Sequence, residues 1–407
     1  MHLPPRHTST EIQTSDAVER PSSGKVPHVA LLIETSRSYG RGVLHGIRRY
    51  MSAHGPWSVY LELRALDSKT PSWLKNWKGD GVITRTGSQQ MADAIAATGV
   101  PTVEMRSTRL KHNFHFIGVD NRAIGQMVTE HLRERGFRRF AIYGIETEDY
   151  FEERCHNFVA AVEAAGFPCD VYQQPGHREI PINWERQQLH VGEWARGLPK
   201  PVGVMACTDQ LGFWFLDACR RVGVAVPEEV AVVGCENDDS LVSMSVPPLS
   251  SVQFNAEKTG YEAAALLARM MHGDVPAERH TFIPPLEIVV RQSSDIVAVE
   301  DKEIAEALRF IRENAPYGLT VDEVLRAIPM SRAALDQAMR GAIGRTVKAE
   351  ILRVQLDQVK RLLADTDFSL SQIADRTGFK HPQYMAELFK KKCGKTPGAY
   401  RREFQDR

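Results

Sequence analysis

The sequence predicts two folded units, a two-lobed α/β domain over residues 28–292 and an all-α domain over residues 301–407. In the first range short apolar runs alternate with amphipathic helical patterns, whereas the second range contains helical patterns alone. A chain of 407 residues also exceeds what one hydrophobic core usually organises, at roughly 100–200 residues per domain. We therefore expect a disordered, polar tail at residues 1–27, the α/β domain, a linker at 293–300 and the helical domain.

Short apolar runs in the first range predict strands, and the amphipathic stretches between them predict helices. The predicted strands are Val29–Ile33, Ser58–Leu63, Gly81–Thr84, Phe116–Val119, Phe140–Tyr143, Val202–Ala206 and Val230–Val233. The predicted helices are Arg41–Met51, Arg122–Arg135, Arg154–Ala165, Asp209–Val222 and Glu257–Met271. Strands that are apolar throughout and alternate with helices are typical of parallel sheets covered on both faces. The length allows two Rossmann-like lobes, with a ligand between them at the carboxyl ends of the strands.

The charge is divided unevenly between the two units. The chain has 51 Lys and Arg against 51 Asp and Glu, so its formal net charge is zero. Residues 301–407 hold 20 of the basic and 15 of the acidic side chains, which leaves 31 and 36 in the rest. A basic helical unit on an acidic body indicates that the helical unit is the part that meets the phosphates of duplex DNA.

The remaining composition argues against a membrane protein and against metal chemistry. Six cysteines are scattered without a CxxC pair or a metal-ligand spacing, which favours a reduced compartment and predicts neither a metal site nor a cofactor. No apolar run reaches 18 residues, and the first 27 residues lack the apolar core of a signal peptide. We expect a cytoplasmic protein without membrane contact.

The residues that come next after the predicted strands are candidates for a ligand cleft. They are Thr35, Ser36, Tyr39, Arg41, Arg85, Thr208, Asp209, Glu236 and Asn237. Arg154, which begins the predicted helix after Phe140–Tyr143, is a further candidate, and Tyr39 and Trp184 are candidate aromatic platforms. Carboxylates that accept hydroxyl protons, Arg or Asn donors and an aromatic face for C–H groups are what a sugar requires. The alternative for single residues is structural, with Asp209 capping its helix and Arg154 lying on the surface.

Two helix-turn-helix patterns stand about 50 residues apart in the helical unit. The first pairs residues 321–330 with 331–340, the second pairs 370–378 with 379–389, and a helical stretch, Val347–Leu363, lies between them. Outward-facing polar residues at the second helix of each pair are candidates for contact with base edges and phosphates. These candidates are Ser331, Arg332, Asp336, Arg340, Lys380, His381, Gln383, Tyr384 and Lys390. One such pattern occurs often in helical proteins, but two in tandem favour DNA binding.

The helical unit resembles the AraC/XylS family. The resemblance rests on Ile373-Ala374, Gly378-Phe379, Phe389-Lys-Lys391, Gly394-Lys-Thr-Pro397 and Tyr400-Arg401 at the family's spacing, and it covers residues 301–407. It implies two recognition helices that enter successive major grooves on one face of DNA. Gln355 stands where the family usually has Arg, and Met385 where it usually has an aromatic residue. Both departures affect the scaffold more than the base contacts.

The α/β unit resembles the effector-binding domain of the LacI/GalR family, which has a periplasmic-binding-protein-like fold. The resemblance rests on Asp120-Asn121, Arg154, Thr208-Asp209, Pro248-Leu249 and residues 291–294, in that order. It implies that Arg154, Asp209 and Glu236 contact a sugar. Phe254 occupies a position where the family often has Gln, so stacking replaces a hydrogen bond there.

The combination of the two units, together with residues 35–42, is similar to a subgroup of regulators that respond to a pentose. It implies xylose as the effector, operator DNA and RNA polymerase as partners, and a homodimer that activates transcription. Another pentose or a hexose remains an alternative.

Two other classes of function stay open. The run Gly40-Arg-Gly42 to Gly46 follows a strand and begins a helix like a dinucleotide fingerprint, but its spacing is GxGxxxG and no convincing acidic residue follows, so an enzyme is disfavoured. Alternatively, the α/β unit serves only for dimerisation and its ligand site is inactive. Sugar binding separates this last alternative from a sensor.

Overall fold

The computed structural model describes residues 26–65, 68–145, 149–172, 183–296, 298–299 and 301–405. Within them the strands are β1 (His28–Leu32), β2 (Ser58–Leu61), β3 (Gly81–Thr84), β4 (Thr102–Glu104), β5 (His115–Val119), β6 (Phe140–Tyr143), β7 (Cys169–Val171), β8 (Val202–Ala206), β9 (Val230–Glu236), β10 (Ser250–Gln253), β11 (His280–Ile283) and β12 (Glu287–Val289). The helices are α1 (Ser38–His54), α2 (Gln89–Ala96), α3 (Asn121–Glu134), α4 (Asp149–Ala164), α5 (Trp184–Gly197), α6 (Asp209–Arg221), α7 (Asp239–Met244), α8 (Ala256–Met271), α9 (Lys302–Asn314), α10 (Val321–Ala327), α11 (Arg332–Ile343), α12 (Val347–Asp365), α13 (Leu370–Arg376), α14 (Pro382–Cys393) and α15 (Pro397–Gln405).

The strands form two sheets, one in each lobe of the α/β domain. The order in lobe 1 is β11-β5-β4-β3-β1-β2 and all its pairs are parallel. The order in lobe 2 is β12-β10-β9-β8-β6-β7, and only β12 runs antiparallel. Because the chain passes between the sheets near Asp120, at residues 254–255 and at residues 284–286, the carboxyl ends of the two sheets border one cleft.

The predicted fold class is confirmed, and every predicted strand and helix of the α/β domain exists within a few residues of its predicted bounds. The sequence reading did not name strands β4, β7, β10, β11 and β12 or helices α2, α5 and α7. Strands β4, β7 and β12 have three residues each, which is too few for a period to show. Strand β11 is polar and mostly exposed, since it lies at the edge of its sheet.

The predicted linker begins too early. Ser293 and Ser294 are fully buried in lobe 2. The Ser293 hydroxyl accepts a hydrogen bond from the backbone N–H of Ser250 (2.8 Å) and donates to the carbonyl oxygen of Val232 (2.6 Å), while the Ser294 hydroxyl pairs with the His131 ring at 2.9 Å. Their polar atoms are satisfied by the lobe, so these residues belong to its core.

The helical domain contains both predicted helix-turn-helix units, α10–α11 and α13–α14, with α12 between them. The second unit has its own core, formed by Leu356, Val359, Leu363, Ile373, Ala374, Phe379, Met385 and Phe389. The first unit shares a continuous apolar core with α9 and lobe 2. Gln355 is buried and donates to the carbonyl oxygen of Ala315 at 3.0 Å, which ties α12 to the turn before α10.

A contact between two glycines joins the two units. Gly378, in the second turn, has a left-handed φ of 74°, and a Cβ added there would lie 2.4 Å from the backbone nitrogen of Gly318. Gly318 also has a positive φ, 85°. Because any side chain at residue 378 would push these backbones apart, the close approach requires glycine.

We expect Gly378→Ala to destabilise the protein by clearly more than the roughly 1 kcal/mol that a left-handed alanine costs. Gly394→Ala is the matched control, since Gly394 has the same φ of 74° and a Cβ there would meet nothing within 4 Å. Chemical denaturation of both variants measures the difference. Equal loss of stability in the two variants would contradict the packing role of Gly378.

Candidate functional site

A cavity lies between the lobes at the carboxyl ends of both sheets. It contains about 420 Å³ of space not filled by atoms, part of it open to solvent. Its walls are formed by Tyr39, Arg85, Met105, Arg106, Phe116, Val119, Asn121, Glu153, Arg154, Glu236 and Phe254. Both lobes contribute charged and aromatic side chains, so a ligand in this cavity contacts both at once.

An ion pair between Arg85 and Glu34 organises the lobe 1 wall, and the sequence reading identified only Arg85. Arg85 donates from Nε to Glu34 Oε2 at 2.7 Å, and its guanidinium lies 4.7 Å from the centre of the Tyr39 ring. Glu34 is 3% exposed, and its other oxygen is buried with no protein hydrogen-bond partner. Sequence reasoning missed Glu34, although it follows β1 directly, because a carboxylate beside four apolar residues gives no periodic signal. This carboxylate is a ready acceptor for a ligand hydroxyl group.

The lobe 2 wall is organised around Arg154, which is 5% exposed. Its Nε donates to Asn121 Oδ1 at 3.1 Å and one terminal nitrogen donates to the carbonyl oxygen of Cys207 at 2.5 Å. The same terminal nitrogen lies 3.8 Å from Glu236 Oε1, and the guanidinium lies 4.9 Å from the centre of the Phe254 ring. A buried guanidinium held by three groups in a fixed position is preorganised for a polar ligand.

Asp209 supports this wall from behind. The resemblance implied direct ligand contact, but Asp209 is fully buried and does not line the cavity. One carboxyl oxygen accepts from the Ser251 hydroxyl at 2.5 Å and the other from the backbone N–H of Asp238 at 2.7 Å. Burial raises the pKa of Asp209 well above its usual range. With both oxygens already engaged, Asp209 holds the turn after β9 in place.

That turn carries unusual backbone. Glu236 and Asn237 have φ values of 105° and 54°, conformations that non-glycine residues rarely adopt. The backbone N–H of Asn237 donates to the Ser251 hydroxyl at 3.0 Å. Strain of this kind persists only where surrounding bonds enforce it, and it is concentrated at functional sites. Here it turns the Glu236 carboxylate toward Arg154.

Other sequence-predicted ligand residues lie outside the cavity. Ser36 is exposed, and Arg41 is exposed and donates to the backbone oxygen of Thr35 at 3.0 Å. Trp184 packs against Trp214 with ring centres 4.9 Å apart, and Thr208 caps α6. Because α1 begins at Ser38 and buries Tyr39, Arg41 lies on the exposed side of the helix. The prediction that these residues line the cleft is not matched by the structure.

Glu104 shapes the loop that continues the lobe 1 wall. It is completely buried and accepts hydrogen bonds from the backbone N–H groups of Thr86, Arg106 and Ser107 at distances from 2.7 to 3.3 Å. Burial nevertheless raises the pKa of Glu104 to about 7. Since Met105 and Arg106 line the cavity, this carboxyl group determines where that part of the wall lies.

The recognition helices present most of the predicted DNA contacts to solvent. Arg332 and Arg340 are exposed on α11, while Lys380, His381, Gln383, Tyr384 and Lys390 are exposed at the start of α14 or along it. Ser331 is exposed and its hydroxyl caps α11 by accepting from the backbone N–H of Ala334 at 3.3 Å. Asp336 departs from the prediction, because its carboxylate accepts from the backbone N–H of Val347 at 3.0 Å and so joins α11 to α12.

The described residues contain no cluster of three or more His, Cys, Asp and Glu side chains that could hold a metal ion. Among the same residues no helix is both long enough and apolar enough to cross a bilayer.

Family models and full-length relatives match the chain. A XylR N-terminal domain model matches residues 28–122, a periplasmic binding protein-like domain model residues 129–294, and a helix-turn-helix domain model residues 324–403. The xylose operon regulatory protein of Escherichia coli K12 is 32% identical over 383 residues, which cover 92% of this chain and 96% of that protein. The protein of the same name from Haemophilus influenzae is 29% identical, with 92% and 97% covered.

Solved structures give the same result. The structure of the xylose-binding transcription activator XylR is similar with a TM-score of 0.78 at 31% identity, covering 93% of this chain and 98% of that one. The transcriptional regulator CelR in complex with cellobiose is similar in fold, with a TM-score of 0.54 at 22% identity over 66% of this chain.

The buried Glu104 predicts a specific dependence of stability on pH. Because its pKa rises from 4.5 to about 7 on folding, the unfolded chain loses this proton near pH 4.5 and the folded chain keeps it until about pH 7. The free energy of unfolding therefore falls as pH rises through that window, by at most about 1.4 kcal/mol per pH unit from this group.

Glu104→Gln should remove this component, so that its stability relative to wild type increases from pH 4.5 to 7. Urea denaturation at a series of pH values measures it. Glu257→Gln, on the exposed side of α8, serves as the control and should follow the wild-type curve. A constant difference between wild type and Glu104→Gln across the window would show that Glu104 does not titrate there.

Proposed function

This chain belongs to the xylose operon regulatory proteins, a family of DNA-binding transcription regulators, and we propose that it binds xylose in the cleft between its lobes and thereby controls its hold on operator DNA. The observation that carries the proposal is the cavity built by both lobes, which is lined by Arg85 of lobe 1 and by Arg154 and Glu236 of lobe 2. Another pentose or a hexose is the second candidate for the effector.

The chemistry of the cavity suits a small polyol. Carboxylate oxygens of Glu34 and Glu236 accept hydroxyl protons, and guanidinium groups of Arg85 and Arg154 donate to sugar oxygens. The faces of Tyr39 and Phe254 cover C–H groups. Phe254 also lies where the chain crosses between lobes, so a ligand that touches it touches the hinge.

We propose that sugar acts by favouring the closed arrangement of the lobes. A ligand shifts a conformational equilibrium only by its difference in affinity for the two states, and contacts to both walls supply that difference. Closure changes the position of lobe 2, on which the helical domain is docked. Within a homodimer this brings two helical domains onto adjacent operator half-sites, where the bound pair recruits RNA polymerase as an activator.

For DNA recognition we propose that α11 and α14 enter successive major grooves. Both helices present exposed cationic or amide side chains near their first turns, which are the donors that read guanine and adenine edges. We propose that the protein acts in the cytoplasm, where it binds its operator DNA. Binding of sugar and DNA accounts for these features without catalysis, and the proposal includes no cofactor.

The sugar proposal predicts saturable binding of xylose by isothermal titration calorimetry. Replacing Arg154 with Met should weaken binding roughly 10- to 100-fold, because a charged hydrogen bond contributes about 1.5–3 kcal/mol. Arg41→Met is the matched control and should bind as wild type does, since Arg41 is exposed, lies outside the cavity lining and donates to the backbone oxygen of Thr35. Thermal melting checks that both variants fold. Absence of heat with xylose and with a panel of other sugars would favour an inactive ligand site.

The DNA proposal predicts that Arg332→Ala and Gln383→Ala each weaken operator binding while leaving xylose affinity unchanged. We expect each lost contact to cost about 1–3 kcal/mol, with the loss for Gln383 confined to the cognate sequence. Fluorescence anisotropy over a range of salt concentrations measures affinity and its salt slope. Lys302→Ala, exposed at the start of α9, is the control. Wild-type affinity in both test variants would refute the placement of the recognition helices.

A further inference from the structure

Among the described residues the chain crosses between the two lobes three times, so direct bonds across the cleft help to determine how firmly the lobes stay closed. One such bond joins Thr108, in the lobe 1 loop after β4, to Glu153 on α4 of lobe 2. The Thr108 hydroxyl donates to Glu153 Oε1 at 2.6 Å. A hydrogen bond from a hydroxyl group to an ionised carboxylate is among the stronger kinds.

Glu153 is held in position from its own side of the cleft. Its second oxygen, Oε2, accepts from Asn121 Nδ2 at 3.0 Å, and Asn121 begins α3 immediately after the first crossing. The side-chain oxygen of Asn121 in turn accepts from Arg154 Nε. A chain of hydrogen bonds therefore runs from Thr108 through Glu153 and Asn121 to the guanidinium that faces the cavity.

The lobe 1 end of this chain is equally well fixed. Ser107, next to Thr108, donates its backbone N–H to the buried Glu104, and the Ser107 hydroxyl accepts from the backbone N–H of Arg109 at 3.1 Å. Thr108 itself does not line the cavity, whereas Glu153 does. The bond between them thus connects the rigid loop of one lobe to the ligand-facing network of the other.

Other bonds between the lobes are weaker candidates. Arg109 pairs with Glu152, but their side chains are 50% and 46% exposed, so water and salt screen the pair. On the far side of the cavity Arg37 donates to Gln210 Oε1 at 3.2 Å, a bond to a neutral acceptor.

We propose that Glu153 is a positioning residue that closes the cleft by holding Thr108, and that this bond sets how long a sugar stays bound. The inference rests on the proposed sugar function and deepens it. Glu153 is linked to Arg154 in the cavity wall by hydrogen bonds through Asn121. Its bond to Thr108 forms only in the closed arrangement of the lobes. Loss of the bond therefore speeds opening and sugar release, while the encounter of sugar with the open cleft stays as it was.

The test is stopped-flow fluorescence of the full-length protein with xylose, which gives association and dissociation rates separately. Thr108→Val removes the hydroxyl at nearly constant volume, and we expect it to raise the dissociation rate roughly three- to tenfold with the association rate unchanged. Glu153→Met, which can neither accept from nor donate to Thr108, should raise the dissociation rate at least as much. The double variant should be no faster than Glu153→Met alone, because the bond to Thr108 is already lost in that single variant.

Controls separate this role from others. Thr108→Ser keeps the hydroxyl and should restore the wild-type dissociation rate to within about twofold, and Arg109→Ala should also stay within that range. A rate for Thr108→Val that equals wild type would overturn the proposal and leave Glu153 as a ligand contact alone. Effects of the two changes that multiply in the double variant would also overturn it. Failure of the wild-type protein to bind xylose or any other sugar in calorimetry would instead refute the proposed function.

Discussion

The docking of the helical domain on lobe 2 is the contact on which regulation by this chain depends. Helix α9 shares its apolar face with the lobe, and Arg312 on that helix lies 3.3 Å from Glu228, which is 5% exposed. A second ion pair, at 2.6 Å, joins Asp295, just after the lobe's last buried serines, to Arg353 on α12. Arg353 also pairs with Glu350 and Asp357. Burial alone would lower the pKa of Arg353, but the neighbouring carboxylates raise it above its usual value. Because buried charges are stable only when they are paired, these ion pairs fix the position of the helical domain on lobe 2. A movement of lobe 2 therefore moves the helical domain with it.

The charged side chains of the cleft are also held in fixed positions. Arg154 is held in position by the backbone oxygen of Cys207, the side-chain amide of Asn121 and the carboxylate of Glu236. The Glu236 carboxylate lies in a strained turn, which Asp209 and Ser251 stabilise. Backbone strain of this kind costs of order 1–3 kcal/mol per residue, and the buried hydrogen bonds of Asp209 and Ser251 offset it. These bonds are already formed before a ligand binds. A sugar therefore meets groups that are already oriented, and the energy of its contacts remains available for closing the lobes.

The architecture could be predicted from the sequence because its elements show as periodic patterns or as particular residues at fixed positions. Apolar strands such as Val202–Ala206, the glycine at residue 378 and the motif from Ile373 to Arg401 determine local structure wherever they occur. It did less well at the cleft. Arg154, Glu236, Arg85, Tyr39 and Phe254 do line the cavity; Glu236, Arg85 and Phe254 lie at strand ends, whereas Tyr39 and Arg154 lie on helices α1 and α4. Glu34 and Glu153 escaped notice. Asp209 was predicted to contact sugar and Asp336 to contact DNA, but in the structure Asp209 accepts from Ser251 and Asp238, and Asp336 accepts from the backbone N–H of Val347. Such partners come from distant segments, and no local pattern encodes them.

The different attachment of the two helix-turn-helix units has a consequence for how a signal spreads. The first unit is continuous with the core of lobe 2, whereas the second has a separate core and touches the rest of the domain through α12 and the Gly378–Gly318 contact. If that contact were loose, a movement of lobe 2 would reorient α11 alone. The close approach of the two glycine backbones and the bond from Gln355 on α12 to Ala315 both attach the second unit to the turn before α10. Under the proposed mechanism, α11 and α14 would then respond to the ligand together, as binding to two successive grooves on one face of DNA requires.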